Sequence, residues 1–85
     1  MTHLIPTPLR AIRVERDPPG HLRGFHWHGE SYEVASVAST WRIDEGWWVL
    51  RTWREYALVT TRQGQLVVLY RDLMTNRWYL ERRFN

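Results

Sequence analysis

Apolar and polar residues alternate with a period of two along most of the chain, the period of a half-buried strand. In LRAIRVERD, Ile12 and Val14 alternate with Arg13 and Glu15. Pro18, Pro19 and Gly20 interrupt that run, and a connecting loop follows through His21 and Leu22. From Arg23 the alternation resumes, with Phe25 and Trp27 on one side and His26 and His28 on the other. Gly29 and Glu30 are then a tight turn into SYEVASVASTWR. Within that run Tyr32 and Val34 share one parity while Val37 and Trp41 share the other, so a bulge near Ala35 and Ser36 is needed to restore the phase.

The next stretch, IDEG, reads as a turn before EGWWVLRTWREY. Adjacent strand residues point to opposite faces, so Trp47 and Trp48 cannot both be core if this is strand. A short helix is the rival, because Val49, Leu50, Trp53 and Tyr56 would line one helical face. The favoured reading is strand through Leu50, then a loop or short irregular piece holding Arg51 to Arg54. YALVTTR and QLVVLYR, joined at Gln63 and Gly64, form a hairpin. Leu66 to Tyr70 is apolar on both parities and predicts a central strand covered on both faces. DLMTN is a second turn, in which Asp72 bonds to backbone amides and Asn76 tolerates a left-handed conformation. RWYLERRF closes the chain as a strand with Trp78, Leu80 and Phe84 inward and Arg77, Tyr79, Glu81 and Arg83 outward.

About six short strands joined mostly by tight turns predict an all-β fold, a small antiparallel barrel or strongly bent sheet of the SH3-like kind. Residues 1–8, MTHLIPTP, read as a flexible N-terminal arm, and residues 9–85 as a single small β domain. With 85 residues to build a core, six Trp, four Tyr and two Phe supply the apolar bulk. Trp27, Trp41, Trp78 and one of Trp47 and Trp48 are the expected core set.

Charge adds a direction. All twelve basic residues are arginine; residues 1–41 carry four against four acids, and residues 42–85 carry eight against five, so the formal +3 sits in the second half. That asymmetry favours an anionic partner for the C-terminal half. The absence of cysteine excludes disulfides, thiolate metal sites and a cysteine nucleophile. No signal peptide or run of eighteen apolar residues is present, which makes the cytoplasm the expected compartment and a membrane partner unexpected.

The spaced aromatics carry a resemblance. Trp41-Arg42, Trp47-Trp48, Arg54-Glu55-Tyr56, Tyr70-Arg71-Asp72 and Trp78-Tyr79-Leu80-Glu81, with Phe84 near the end, resemble a small tryptophan-rich bacterial domain of unknown function. That domain occurs alone and at the C-terminus of the catalytically inactive Y-family polymerase-like subunit of the bacterial mutasome. The likeness runs from about Gly24 to Phe84. It implies a setting of DNA-damage tolerance, with a DNA-repair or polymerase component as partner, and brings no catalytic residue with it.

Candidate chemistry is sparse. His26 and His28 form an HxH pair that would chelate a first-row metal if His21 or Glu33 supplied a third ligand; the commoner outcome is two histidines on the wet face of a strand. Asp44-Glu45 reads as turn acids, and Ser36, Ser39, Thr60 and Thr61 have neither a glycine-rich elbow nor a partnered base. No enzyme and no cofactor are expected. The expected activity is that of a non-catalytic interaction module acting through protein contacts, since Trp and Arg are enriched in binding hot spots and small barrels take peptides in aromatic grooves or at an open edge. The alternative is single-stranded nucleic acid gripped by base stacking and arginine. Arg51, Trp53, Arg54, Arg77, Tyr79 and Arg83 are the candidate binding residues for either partner.

Overall fold

The computed structural model describes residues 10–46 and 51–84. They form one six-stranded antiparallel sheet in sequential order: β1 (Arg13–Arg16), β2 (Leu22–Trp27), β3 (Glu30–Gly46), β4 (Arg51–Thr61), β5 (Leu66–Asp72) and β6 (Arg77–Phe84). The sheet curls strongly, so that Ile12, just before β1, returns to β6 and donates its amide to the Trp78 carbonyl at 2.8 Å. The described part measures 38 × 35 × 19 Å, the flattened outline of a half-barrel rather than a closed one.

Local sequence accounts for the turns. His28 and Gly29, with φ of 52° and 77°, are the two central residues between β2 and β3. Positive φ at both positions is the requirement of the type I′ hairpin turn, whose twist matches the flanking strands. The turn therefore lies one residue earlier than the expected Gly29-Glu30, and Glu30 already pairs with Trp27. Gly64, with φ of 88°, turns β4 into β5, and the buried Thr61 hydroxyl accepts from the Gln65 amide at 3.1 Å. Between β5 and β6, Asp72 Oδ1 accepts from the Met74 amide at 2.9 Å and Asn76 takes φ of 62°, as the DLMTN pattern predicts.

Bulges set which side chains face inward. In β3, Val34 pairs with Thr61 and Ser36 with Thr60, so Ala35 is an extra residue; Val37 pairs with Val59 and Ser39 with Leu58, so Ala38 is another. The first bulge is the one the parity of the sequence demands. The second reverses the phase again, leaving Val37 on the concave face and moving Trp41 to the convex one. Trp41, expected in the core, is 39 % exposed for this reason. A third bulge in β6 makes Glu81 the extra residue, because Leu80 pairs with Leu69 and Arg82 with Val68. It turns Phe84, expected inward, out to 40 % exposure.

Two apolar clusters follow from these faces. Phe25, Val34, Ala57, Val59, Val67 and Leu69 form the concave core, with Ile12, Val14, Leu22, Trp27, Tyr32, Trp78 and Leu80 packed around it. Trp27 and Trp78 thus belong to the core margin rather than its centre. Tyr56, Val68 and Tyr70 form a smaller cluster on the convex face, flanked by Ile43, Leu58 and Tyr79. Because β5 contributes Val67 and Leu69 to one and Val68 and Tyr70 to the other, it is covered on both faces, as its unbroken apolar run requires.

Two expectations about the middle of the chain are corrected. The IDEG segment is strand, since β3 runs on to Gly46, and Arg51 to Arg54 are strand as well, opening β4. Cross-strand pairing decides this: Gly46 faces Arg51, Asp44 faces Trp53 and Arg54 also faces Asp72 of β5. An alternating charged and aromatic sequence is compatible with strand once neighbours on either side satisfy its backbone. Trp47 and Trp48 lie outside the described residues.

Candidate functional site

The concave face opens where β3 leaves β2. Among the described residues, only 30–33 of β3 pair with β2, and from Val34 to Gly46 its pairing is to β4 alone. Across from that free edge stands the end of the β1–β2 hairpin, whose loop is fixed by Asp17. Its carboxylate accepts from the amides of Gly20 and His21 at 3.0 and 2.8 Å, and Arg23 Nη2 lies 2.9 Å from it. Between the two walls lies a cleft of about 500 Å³. Leu22, Val37, Ala57 and Trp78 supply its apolar lining, and Arg16, Arg42 and Glu55 its charges.

Glu55 is central to that charge pattern. It accepts from Arg42 at 2.8 Å on one side and from Arg71 at 2.9 Å on the other. The Arg42 hydrogen bond above all, with Arg71 behind it, holds the Glu55 carboxyl below its ordinary value. The lowered value means that the unfolded chain takes up a proton at Glu55 more readily than the native one does. The stability it confers is therefore present above about pH 4.3, the ordinary glutamate pKa, and is lost as pH falls through the lower native value. Glu55→Gln is expected to flatten the acid limb of urea stability measured from neutral pH down to about pH 3, modestly because the carboxylate is partly solvated. Parallel profiles for the two proteins would contradict this role.

The convex face carries an aromatic row across four strands. Trp41 stacks on Tyr56 with ring centroids 5.3 Å apart and planes 4° from parallel, Tyr56 meets Tyr70 at 5.3 Å, and Tyr70 stacks on Tyr79 at 5.1 Å. These are directly opposed residues of antiparallel neighbours, the pairs that interact most closely in a sheet. The Arg54 guanidinium lies over Tyr70 at 4.5 Å and donates to the Tyr56 hydroxyl at 3.3 Å. That hydrogen bond raises the Arg54 pKa, while burial raises that of the Tyr70 phenol against the opposing pull of Arg54. The two central rings are almost wholly buried, and Trp41 at one end and Tyr79 at the other are the more accessible.

The six candidate binding residues do not form one patch. Arg54, Arg77 and Tyr79 share the convex face. Arg51 and Trp53 lie on the opposite side of β4, toward the end of the β3–β4 ribbon, where Arg51 covers the Trp53 ring at 4.8 Å and binds Asp44 at 3.1 Å. The Glu81 bulge separates Arg83 from Tyr79: Arg83 faces Val67 and covers the Trp27 ring at 4.9 Å, on the concave side. Sequence reasoning overlooked Tyr56 and Tyr70 as a row, and Arg16, Val37, Arg42 and Glu55 as a cleft, because their grouping depends on which residues are bulged.

The HxH pair is also separated. His28 sits in the hairpin turn, and its ring meets Trp27 edge-on at 4.3 Å. His26 Nε2 lies 3.0 Å from Glu15, and its Nδ1 lies 3.0 Å from the Ser31 hydroxyl. Among the described residues no three His, Asp or Glu side chains converge as metal ligands. No helix among them is long and apolar enough to cross a membrane. No protein family, curated protein or solved structure matches the chain.

Proposed function

We propose that the chain is a non-catalytic protein-interaction module that takes an extended peptide segment as an added strand along the free edge of β3. The observation that carries this reading is the pairing of β3: among the described residues, 35–46 pair on one side only, and the other side borders the cleft lined by Leu22, Val37 and Trp78. An edge strand presents a row of unpaired donors and acceptors, and strand addition uses them for affinity while alternate side chains enter a neighbouring pocket for specificity. The resemblance noted in the sequence suggests a partner among the proteins of DNA-damage tolerance.

Single-stranded nucleic acid is the second reading, favoured by Arg54 lying over Tyr70 beside Tyr79 and Arg77. Base stacking needs open ring faces. Here Tyr56 and Tyr70 are 5 % and 4 % exposed and face each other, which makes the row a packing device first. The two readings separate by the steepness of the salt dependence, because binding through many phosphate contacts releases counterions and weakens steeply as ionic strength rises, whereas strand addition rests chiefly on backbone pairing and apolar burial.

Val37 offers a direct test. It lies beside the edge, lines the cleft and is 43 % exposed, so a charged side chain there is tolerated by the fold. Val37→Lys is expected to shift thermal stability by no more than about 0.5 kcal/mol, as for other surface changes, while abolishing capture of the natural protein partner from cell extract. Retained capture by the lysine variant would contradict the reading, and stronger single-stranded DNA binding with unchanged capture would favour the second.

A further inference from the structure

The charges around the cleft are unequal, and this bears on what the free edge accepts. Among the side chains lining it are two guanidiniums, Arg16 and Arg42, and one carboxylate, Glu55. Glu55 is already answered twice, by Arg42 at 2.8 Å and by Arg71 at 2.9 Å, so the three form a unit with one positive charge in excess. Arg16 stands on the opposite wall with no carboxylate partner among the described residues; its guanidinium lies 5.7 Å from the centre of the Trp78 ring. Of the two acids adjacent to Arg16, Asp17 is turned into its own loop and held by Arg23 and His21, and Glu15 lies against His26 at 3.0 Å. The cleft is thus an apolar floor between two positive walls.

From this we infer that the β3 edge selects an acidic extended peptide: an apolar residue seated on Leu22, Val37 and Trp78, with carboxylates two positions to either side on the same face. The inference rests on the edge-binding reading above and adds the partner's chemistry to it. In an extended strand, residues two apart point the same way and lie about 6.6–6.8 Å from one another, so one apolar anchor and its flanking carboxylates enter the cleft together. Guanidinium–carboxylate hydrogen bonds are charge-assisted and directional, and the apolar floor beside them limits competition from water. A basic peptide meets two arginines instead, and like charges at an interface discriminate strongly against the wrong partner.

The test uses the full chain and two labelled, end-blocked peptides, Ser-Glu-Thr-Val-Thr-Glu-Ser and its twin with lysine for both glutamates. Anisotropy gives affinity, and amide shift mapping gives location. The expected result is shifts concentrated at residues 35–46 and at the Trp78 indole with the acidic peptide, and binding of the twin weaker by about tenfold or more. Arg16→Glu, an exposed substitution whose folding is checked by its unfolding midpoint, leaves one positive and one negative wall and is expected to abolish the preference. If both peptides move the same amides equally, the acidic preference is wrong while edge binding stands. If neither moves them, edge binding itself fails. Concentration-dependent shifts at residues 35–46 without peptide would assign the edge to a second copy of the chain, and displacement of the acidic peptide by oligo-dT from those amides would assign it to nucleic acid; either overturns the inference.

Discussion

Phe25→Ala is expected to destabilise the protein by about 3–5 kcal/mol, the range for removing a large aromatic from a core. Phe25 is 1 % exposed, stacks on Tyr32 with centroids 5.0 Å apart, and pairs with Val14 of β1 and Tyr32 of β3. Its loss therefore weakens the two hairpin strands that complete the half-barrel as well as the core itself. At roughly 0.05–0.15 kcal/mol per residue, a chain of this length has about 4–13 kcal/mol in total, so this one change consumes much of it. Urea unfolding of the variant should show a midpoint near or below the start of the wild-type transition. Phe84→Ala, at 40 % exposure, is the control and is expected to cost under about 1 kcal/mol. Equal costs for the two would mean that the inward face is wrongly assigned.

Tyr70→Ala is expected to cost about 3–4 kcal/mol although it lies on the convex side of the sheet. The ring touches Tyr56 and Tyr79 at 5.3 and 5.1 Å and supports the Arg54 guanidinium. Each aromatic contact adds about 0.5–1.5 kcal/mol beyond area burial, and the sum is less than additive because the rings share neighbours. Trp41→Ala removes only the accessible end of the row and is expected to cost about 1 kcal/mol. A Tyr70→Ala protein as stable as Trp41→Ala, but defective in single-stranded DNA binding, would make the row a grip rather than a second core.

The strand count, the antiparallel sheet and most turns were legible because they depend on short-range pattern. Alternation marked β1 and β2, glycine marked the β4–β5 turn, and Asp72 with Asn76 marked the last one. The apolar run at Leu66 to Tyr70 also announced a strand covered twice. What failed was parity over distance. One bulge in β3 is demanded by the sequence near Ala35, but the second, at Ala38, leaves no separate signature in a run of Ala, Ser and Thr. Without it Trp41 falls on the wrong face. The Glu81 bulge had the same effect on Arg83 and Phe84. The edge and its cleft were out of reach for a different reason: they arise where two strands that pair as a hairpin part company, and no residue in Ser36 to Gly46 reports which neighbour it has lost.

Peptide binding of the proposed kind requires a free edge on β3. Backbone amide hydrogen exchange of the protein alone tests it most directly, residue by residue through β3. In an edge strand, amides bonded to the inner neighbour alternate with amides that face out. We expect that alternation in the bulge-free run 39–46, slow where β4 accepts the hydrogen bond and fast at the residues between, with slow exchange at every residue of Val67 to Leu69, which β4 and β6 pair from both sides. Uniform protection from Ser39 to Gly46 would show that the edge is already covered, and the binding site proposed for it would have to be given up.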